Sequence, residues 1–202
     1  MGQFFGQSVF FRTRDIIGLY KAQVLSFLES TTPAIFHAAH VHLNLLDRVQ
    51  KRLLREVGVN EIDALCYYRL APLEARRSIA MLGVPHRITL KIAPLQLEAL
   101  FPSAPVCPAS RTPTRLSTIR HSRQFVERFG HTDAFRRSLF GMVRVYNLLL
   151  HKIVEAPSVN IFQRLLQNGL RRAACSGMIN WQSLFCPTSP PLHPASFQRI
   201  LS

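Results

Sequence analysis

Leu45-Leu-Asp-Arg-Val-Gln-Lys-Arg-Leu-Leu-Arg-Glu-Val-Gly58 is the stretch that decides the fold. With Leu43, the residues Leu46, Val49, Leu53 and Val57 recur at steps of three and four, which stacks side chains on one face of a helix. Arg48, Arg52 and Arg55 fall on the opposite face, with Lys51 at its edge. Gly58 is a natural stop. The spacing predicts a helix over 43–57. Upstream, Leu19-Tyr-Lys-Ala-Gln-Val-Leu-Ser-Phe-Leu-Glu-Ser-Thr-Thr-Pro-Ala34 continues the same pattern. Thr13 is the expected cap of a helix that carries Ile16, Ile17, Leu19, Tyr20, Val24, Phe27 and Leu28 at helical spacing. Ser30-Thr31-Thr32-Pro33 interrupts it, and Thr32 with Pro33 suits the start of a short helix through Phe36.

Downstream the helical reading continues. Asn60 is placed to cap a helix to Arg69. Pro72 opens another to about Val84, where Pro85 is expected to end it. Pro94 opens a short helix to Phe101, and Arg87 to Ile92 is the one fair strand candidate. Pro102, Pro105, Pro108 and Pro113 mark residues 102–114 as a linker. Beyond it, Phe135, Leu139, Met142, Tyr146 and Leu149 repeat as one helix face, and Pro157 opens a last helix to Cys175 bearing Ile161, Phe162, Leu165, Leu166 and Leu170. The expected architecture is mainly α: a helical bundle over 1–101, the Pro-rich linker 102–114, a smaller basic helical unit over 115–185 and a Pro-rich tail over 186–202.

The charge balance points to a partner. Net charge is +14, carried by 21 Arg and only 4 Lys. Residues 1–100 have 12 basic and 8 acidic side chains, residues 101–202 have 13 and 3. An arginine-rich excess fits a polyanion, the backbone of RNA or DNA, because the guanidinium fork matches phosphate. The competing reading is a basic fragment that lacks an acidic partner segment. Four cysteines (Cys66, Cys107, Cys175 and Cys186) show no pairing rhythm, so a reducing compartment is expected, nuclear or cytoplasmic rather than secreted. No apolar segment follows a basic start, and the longest charge-free stretch, 173–198, holds four prolines, so no membrane partner is expected. The Phe-rich, Arg-containing start admits a third reading, an organellar import segment.

Few residues suggest chemistry. His37-Ala-Ala-His40-Val-His42 has metal-like spacing but no helical Glu or nearby Cys, and reads as a boundary loop with exposed imidazoles. Cys66, among Leu65, Tyr67 and Tyr68, reads as a buried small thiol rather than a nucleophile. The nine glycines form no phosphate loop. No cofactor or metal is expected. What remains is basic: the Arg48, Lys51, Arg52, Arg55 stripe, the pairs Arg76-Arg77 and Arg136-Arg137, and Arg144, all candidate phosphate contacts. Arg111, Arg115, Arg120, His121, Arg123 and Arg128 form an expected flexible basic arm. Phe125 and Phe129 are candidates for stacking on bases.

Several blocks carry a resemblance. The two quoted segments resemble the stretch that follows the polymerase core in reverse transcriptases of non-LTR (LINE-type) retrotransposons. Tyr68-Arg69-Leu70-Ala71-Pro72-Leu73-Glu74-Ala75-Arg76-Arg77 through Leu82 is similar to that family's Leu-x-x-Arg-Arg-x-x-x-x-Leu segment. Ala93-Pro94-Leu95 through Pro102 is similar to its short Pro-led helix. Arg137-Ser138-Leu139-Phe140 with Val145-Tyr146-Asn147-Leu148-Leu149 resembles its Arg-Ser…Trp-Asn-Ser-Leu-Pro block, with Tyr146 for Trp and Leu150 where Pro is usual. The resemblance covers about residues 4–185 and implies thumb-like helices that grip a template–primer duplex. It does not extend to catalysis. Such polymerases hold two Mg²⁺ ions about 4 Å apart with paired carboxylates. Here the aspartates are Asp15, Asp47, Asp63 and Asp133, no two adjacent. The expected function is a non-catalytic, nucleic-acid-binding fragment of such a polymerase, without fingers or palm. The alternative is a protein-interaction or non-functional helical remnant that needs a separate polymerase core.

Overall fold

A computed structural model describes residues 12–104, 121–130 and 132–187. These residues are mainly helical, and the only β pairing among them is one isolated antiparallel bridge, Ser103 with Phe125. Helix α1 (Thr13–Tyr20) passes through a π-helical turn (Lys21–Leu25) into α2 (Ser26–Ser30). Arg12 rather than Thr13 holds the cap position. Thr31 takes the same place for α3 (Thr32–Ile35), one residue earlier than expected.

Helix α4 (His40–Glu56) starts three residues before the apolar repeat does, so His40 and His42 lie in its first turn rather than in a loop. Its buried face is also rotated from the expected one. Leu43, Gln50 and Leu54 are buried, whereas Val49 is 47% exposed. Two polar side chains cause the rotation. Asp47 faces Arg77, and Gln50 donates its amide to the Ala71 carbonyl at 3.0 Å while lying 3.5 Å from the Tyr20 hydroxyl. A buried polar group that is hydrogen-bonded is tolerated where an exposed valine costs little.

Asn60 caps α5 (Glu61–Cys66), its side chain accepting from the Asp63 amide at 2.8 Å. The helix ends earlier than Arg69, which adopts a left-handed φ of 53°. Helix α6 (Leu73–Thr89) is the central element. It runs through Pro85, and the segment expected as a strand is its last turn and the turn after it. Proline removes one helical donor and costs about 3 kcal/mol in an exposed helix. Here burial of Ile79, Leu82, Pro85, His86 and Ile88 offsets that cost, each large apolar side chain contributing about 1.5–3 kcal/mol. Gly83 lets α6 approach a later helix closely, since a Cβ there would lie 2.6 Å from Gln163 Nε2 and 3.1 Å from Val159 Cγ1.

Pro94 precedes α7 (Leu95–Leu100). The single helix face expected from Phe135 to Leu149 is split: α8 (Asp133–Arg136) is followed by α9 (Leu139–Asn147), with Ser138 accepting from the Phe140 amide as a new cap. A short α10 (His151–Val154) leads to α11 (Val159–Cys175), which Ser158 caps, and a 3₁₀ turn (Trp181–Ser183) follows. Helix α6 packs against α11, α9 and α4.

One apolar cluster therefore draws on both sides of the expected linker. It joins Phe36, Ile79, Leu82 and Phe101 to Tyr146, Phe162, Leu166, Leu170 and Phe185. A smaller cluster gathers Ile17, Tyr20, Leu25, Leu54, Ala64, Leu70 and Leu73. Cys66 is not a free thiol: it forms a disulfide with Cys175 across 109 residues, tying α5 to α11 and correcting the expectation of unpaired cysteines. The linker from residue 105 on and the tail from 188 on lie outside the described residues.

Candidate nucleic-acid interface

The outward side of α4 assembles four of the nine candidate cations. Arg48, Lys51, Arg52 and Arg55 are all exposed, and their spacing of three, four and seven places them along two helical turns. Arg52 Nε lies 3.9 Å from Glu56 Oε1, with both side chains largely exposed (77% and 66%). A pair so open to water contributes little and leaves the guanidinium able to exchange partners. Leu43, Gln50 and Leu54 anchor the opposite side, so the orientation of the basic face is set by burial.

Arg76 and Arg77 are turned to a different use. Arg77 is 6% exposed and forms a two-pronged pair with Asp47, Nη1 to Oδ1 at 2.7 Å and Nη2 to Oδ2 at 2.9 Å. Arg76 pairs with Glu29 of α2 through Nε and Nη2. Both arginines fasten α6 to earlier helices and are not presented to a polyanion, which removes them from the expected phosphate contacts. The signal was present in the sequence only as two acids, Glu29 and Asp47, 47 and 30 residues away.

Arg136 and Arg144 are exposed, on α8 and α9. Arg137 is half-buried. Its carbonyl meets His37 Nδ1 at 3.2 Å, and its Nε is buried without a hydrogen-bond partner among the described residues. The basic stripe of α4 is therefore the one cluster that a single element builds from the candidates.

Part of the expected basic arm is ordered and folded inward. His121 is buried, with Nε2 3.2 Å from the Tyr146 carbonyl and Nδ1 3.2 Å from the Arg123 amide. Arg123 donates through Nη1 to the Val154 carbonyl at 2.8 Å. Arg128 lies over the Phe140 ring at 5.0 Å. Arg111, Arg115 and Arg120 are outside the described residues. Of the two stacking candidates, Phe125 is core, whereas Phe129 is 88% exposed.

A buried polar network went unread in the sequence. His86 stacks on Phe162 with ring centroids 4.1 Å apart. Its Nε2 lies 3.0 Å from the Ala156 carbonyl, so that nitrogen carries the proton and Nδ1 accepts from the Tyr146 hydroxyl at 3.2 Å. Burial pushes the His86 imidazole down to about 4, although the Ala156 hydrogen bond opposes the shift. Burial likewise pushes Tyr146 up to about 12, and Tyr20 to about 12. Lys21 is lowered, by burial first and then by Arg76 and Arg69. A lone histidine beside an in-helix proline was the only local hint of this network. Among the described residues, no group of three or more His, Cys, Asp or Glu is placed to hold a metal ion, and no helix is long and apolar enough to cross a membrane.

Comparison with protein-family models, with curated proteins and with solved structures finds no match to this chain.

Proposed function

We propose that this chain is a non-catalytic nucleic-acid-binding fragment related to the tail of a retrotransposon reverse transcriptase, gripping the RNA or DNA backbone through exposed cations. The observation that carries this reading is the outward face of α4, where Arg48, Lys51, Arg52 and Arg55 stand exposed along two turns, with Glu56 the one acid paired to them among the described residues. Arg136 and Arg144, exposed on α8 and α9, and the half-buried Arg137 are the further candidate contacts. Such contacts neutralise phosphates, release counterions and carry little base preference. A nuclear or cytoplasmic location goes with this reading, and there the Cys66–Cys175 bond would have to be a reversible one.

Fluorescence anisotropy on labelled RNA and duplex DNA over a salt series tests it. Binding should be nanomolar to micromolar at low salt, and log K should fall by about 0.9 per neutralised phosphate for each decade of salt on the duplex. Replacing Arg48, Lys51, Arg52 and Arg55 together by Gln should flatten that slope by about 3–4. Absence of binding at low salt would sink the proposal.

A second reading rests on the same helix. Val41, Leu45 and Val49 form an exposed row at steps of four on α4. This row supports a protein-interaction remnant whose apolar surface awaits a separate polymerase core. Self-association without salt-sensitive nucleic-acid binding would favour that reading.

A further inference from the structure

A cleft of about 360 Å³ opens between the end of α6, α7 and the paired segments around Ser103 and Phe125. That volume is in the range of small-molecule sites, about 300–1,000 Å³. Its lining is divided. Ile88, Phe101 and Phe125, all buried, supply an apolar side, the two rings meeting edge to face at 6.4 Å. Lys91, Arg123, Ser103 and Ser122 line the polar side. Glu98 Oε2 lies 3.5 Å from Lys91 Nζ, which leaves one cation in excess.

The walls are braced before any ligand arrives. Ala104 N–H donates to the Gln124 carbonyl at 2.8 Å, and Val126 N–H donates to the Pro102 carbonyl at 2.9 Å. Asn147 clamps Phe125 from both sides, accepting its N–H at 3.0 Å and donating to its carbonyl at 2.9 Å. Arg123, which also lines the cleft, is fixed by one N–H on the Val154 carbonyl. Preorganised polar groups beside an apolar wall favour binding because little ordering remains to be done.

Lys91 occupies a position that favours glycine. Its φ is 59°, and it follows α6 in a turn where Ile92 N–H reaches back to the Arg87 carbonyl at 3.2 Å. Helix ends of this kind usually place glycine there. Lysine accepts the left-handed conformation and brings an ammonium to the cleft.

We propose that this cleft binds a small organic anion with a flat apolar body, such as an aryl or nucleoside phosphate. Its anionic group pairs with Lys91 and Arg123 while its ring covers Phe101 and Phe125. An inorganic anion would leave the apolar side uncovered, and a neutral aromatic would leave the excess positive charge unmatched. The site is separate from the basic face of α4 and stands without it.

Isothermal titration of the full chain with phenyl phosphate, adenosine monophosphate and inorganic phosphate tests the proposal. Phenyl phosphate should saturate at submillimolar concentration, with inorganic phosphate about tenfold weaker or more. Lys91→Gly relieves the backbone and should raise Tm while weakening phenyl phosphate about tenfold. Lys91→Gln should weaken it similarly, and the α4 glutamine variant should leave it unchanged. Tighter binding of adenosine monophosphate supports the proposal with a nucleotide as the ligand, and tighter binding of phenyl phosphate supports it with a smaller aryl anion. No saturation of either organic phosphate by ~10 mM, equal affinity for inorganic phosphate, or full binding by Lys91→Gln would overturn it.

Discussion

His86 shows how much a single buried side chain contributes to the pH response. Its imidazole is buried and held neutral by that burial, with one nitrogen donating to Ala156 and the other accepting from Tyr146. Unfolding returns it to an ordinary value of 6.5 from about 4. Below 6.5 the unfolded chain therefore takes up a proton that the folded chain refuses. The stability due to neutral His86 is complete above about pH 6.5 and drains away as pH falls toward 4, on the order of 3 kcal/mol in all. Urea unfolding from pH 7 to 4 should show that decline, and His86→Phe should flatten it. Arg77 poses a second test at this scale. Arg77→Met strands Asp47 in a mostly buried site and should cost about 3–5 kcal/mol in urea unfolding. Adding Asp47→Leu should recover most of it, because the desolvated charge is then gone. Neither role was legible locally. An Arg-Arg pair reads identically whether its fork meets phosphate or a carboxylate brought in from another helix.

At the scale of elements, the legible features were those set within a turn or two. Asn60 as a cap, the starts of α7 and α11 near prolines, and the Phe162, Leu166, Leu170 stripe all follow from local spacing. The misreadings were places where a neighbouring element overrode that spacing. Pro85 stays within α6 because both flanks of the helix are buried, and Val49 faces outward because Asp47 and Gln50 have partners on the inside. The disulfide is the strongest case. Cys66 and Cys175 sit on α5 and α11, whose packing creates the pair. Closing a loop of 109 residues restricts the unfolded chain, so reduction should lower stability by about 4–5 kcal/mol. Urea unfolding with and without a dithiol reductant measures this, and Cys66→Ser should make the two curves coincide.

Across the whole molecule, the apolar core joins segments that the sequence pattern divides. Helix α6 lies against α9 and α11, so its buried face is completed only by residues beyond 130. A chain ending at residue 104 should therefore retain helix in far-ultraviolet dichroism, lose near-ultraviolet signal and bind an apolar dye such as ANS. A cooperative unfolding transition in that fragment would show instead that the first half folds by itself. By itself the sequence determined a mainly helical chain, most helix starts and the exposed basic face of α4, because periodicity and capping depend on residues a few positions apart. The tertiary structure alone decided that Arg76 and Arg77 are internal ties, that His86 is buried neutral, that two cysteines are joined and that Lys91 and Arg123 share a cleft. Each of these depends on the dielectric surroundings and the partners that distant segments bring together, which no local spacing encodes.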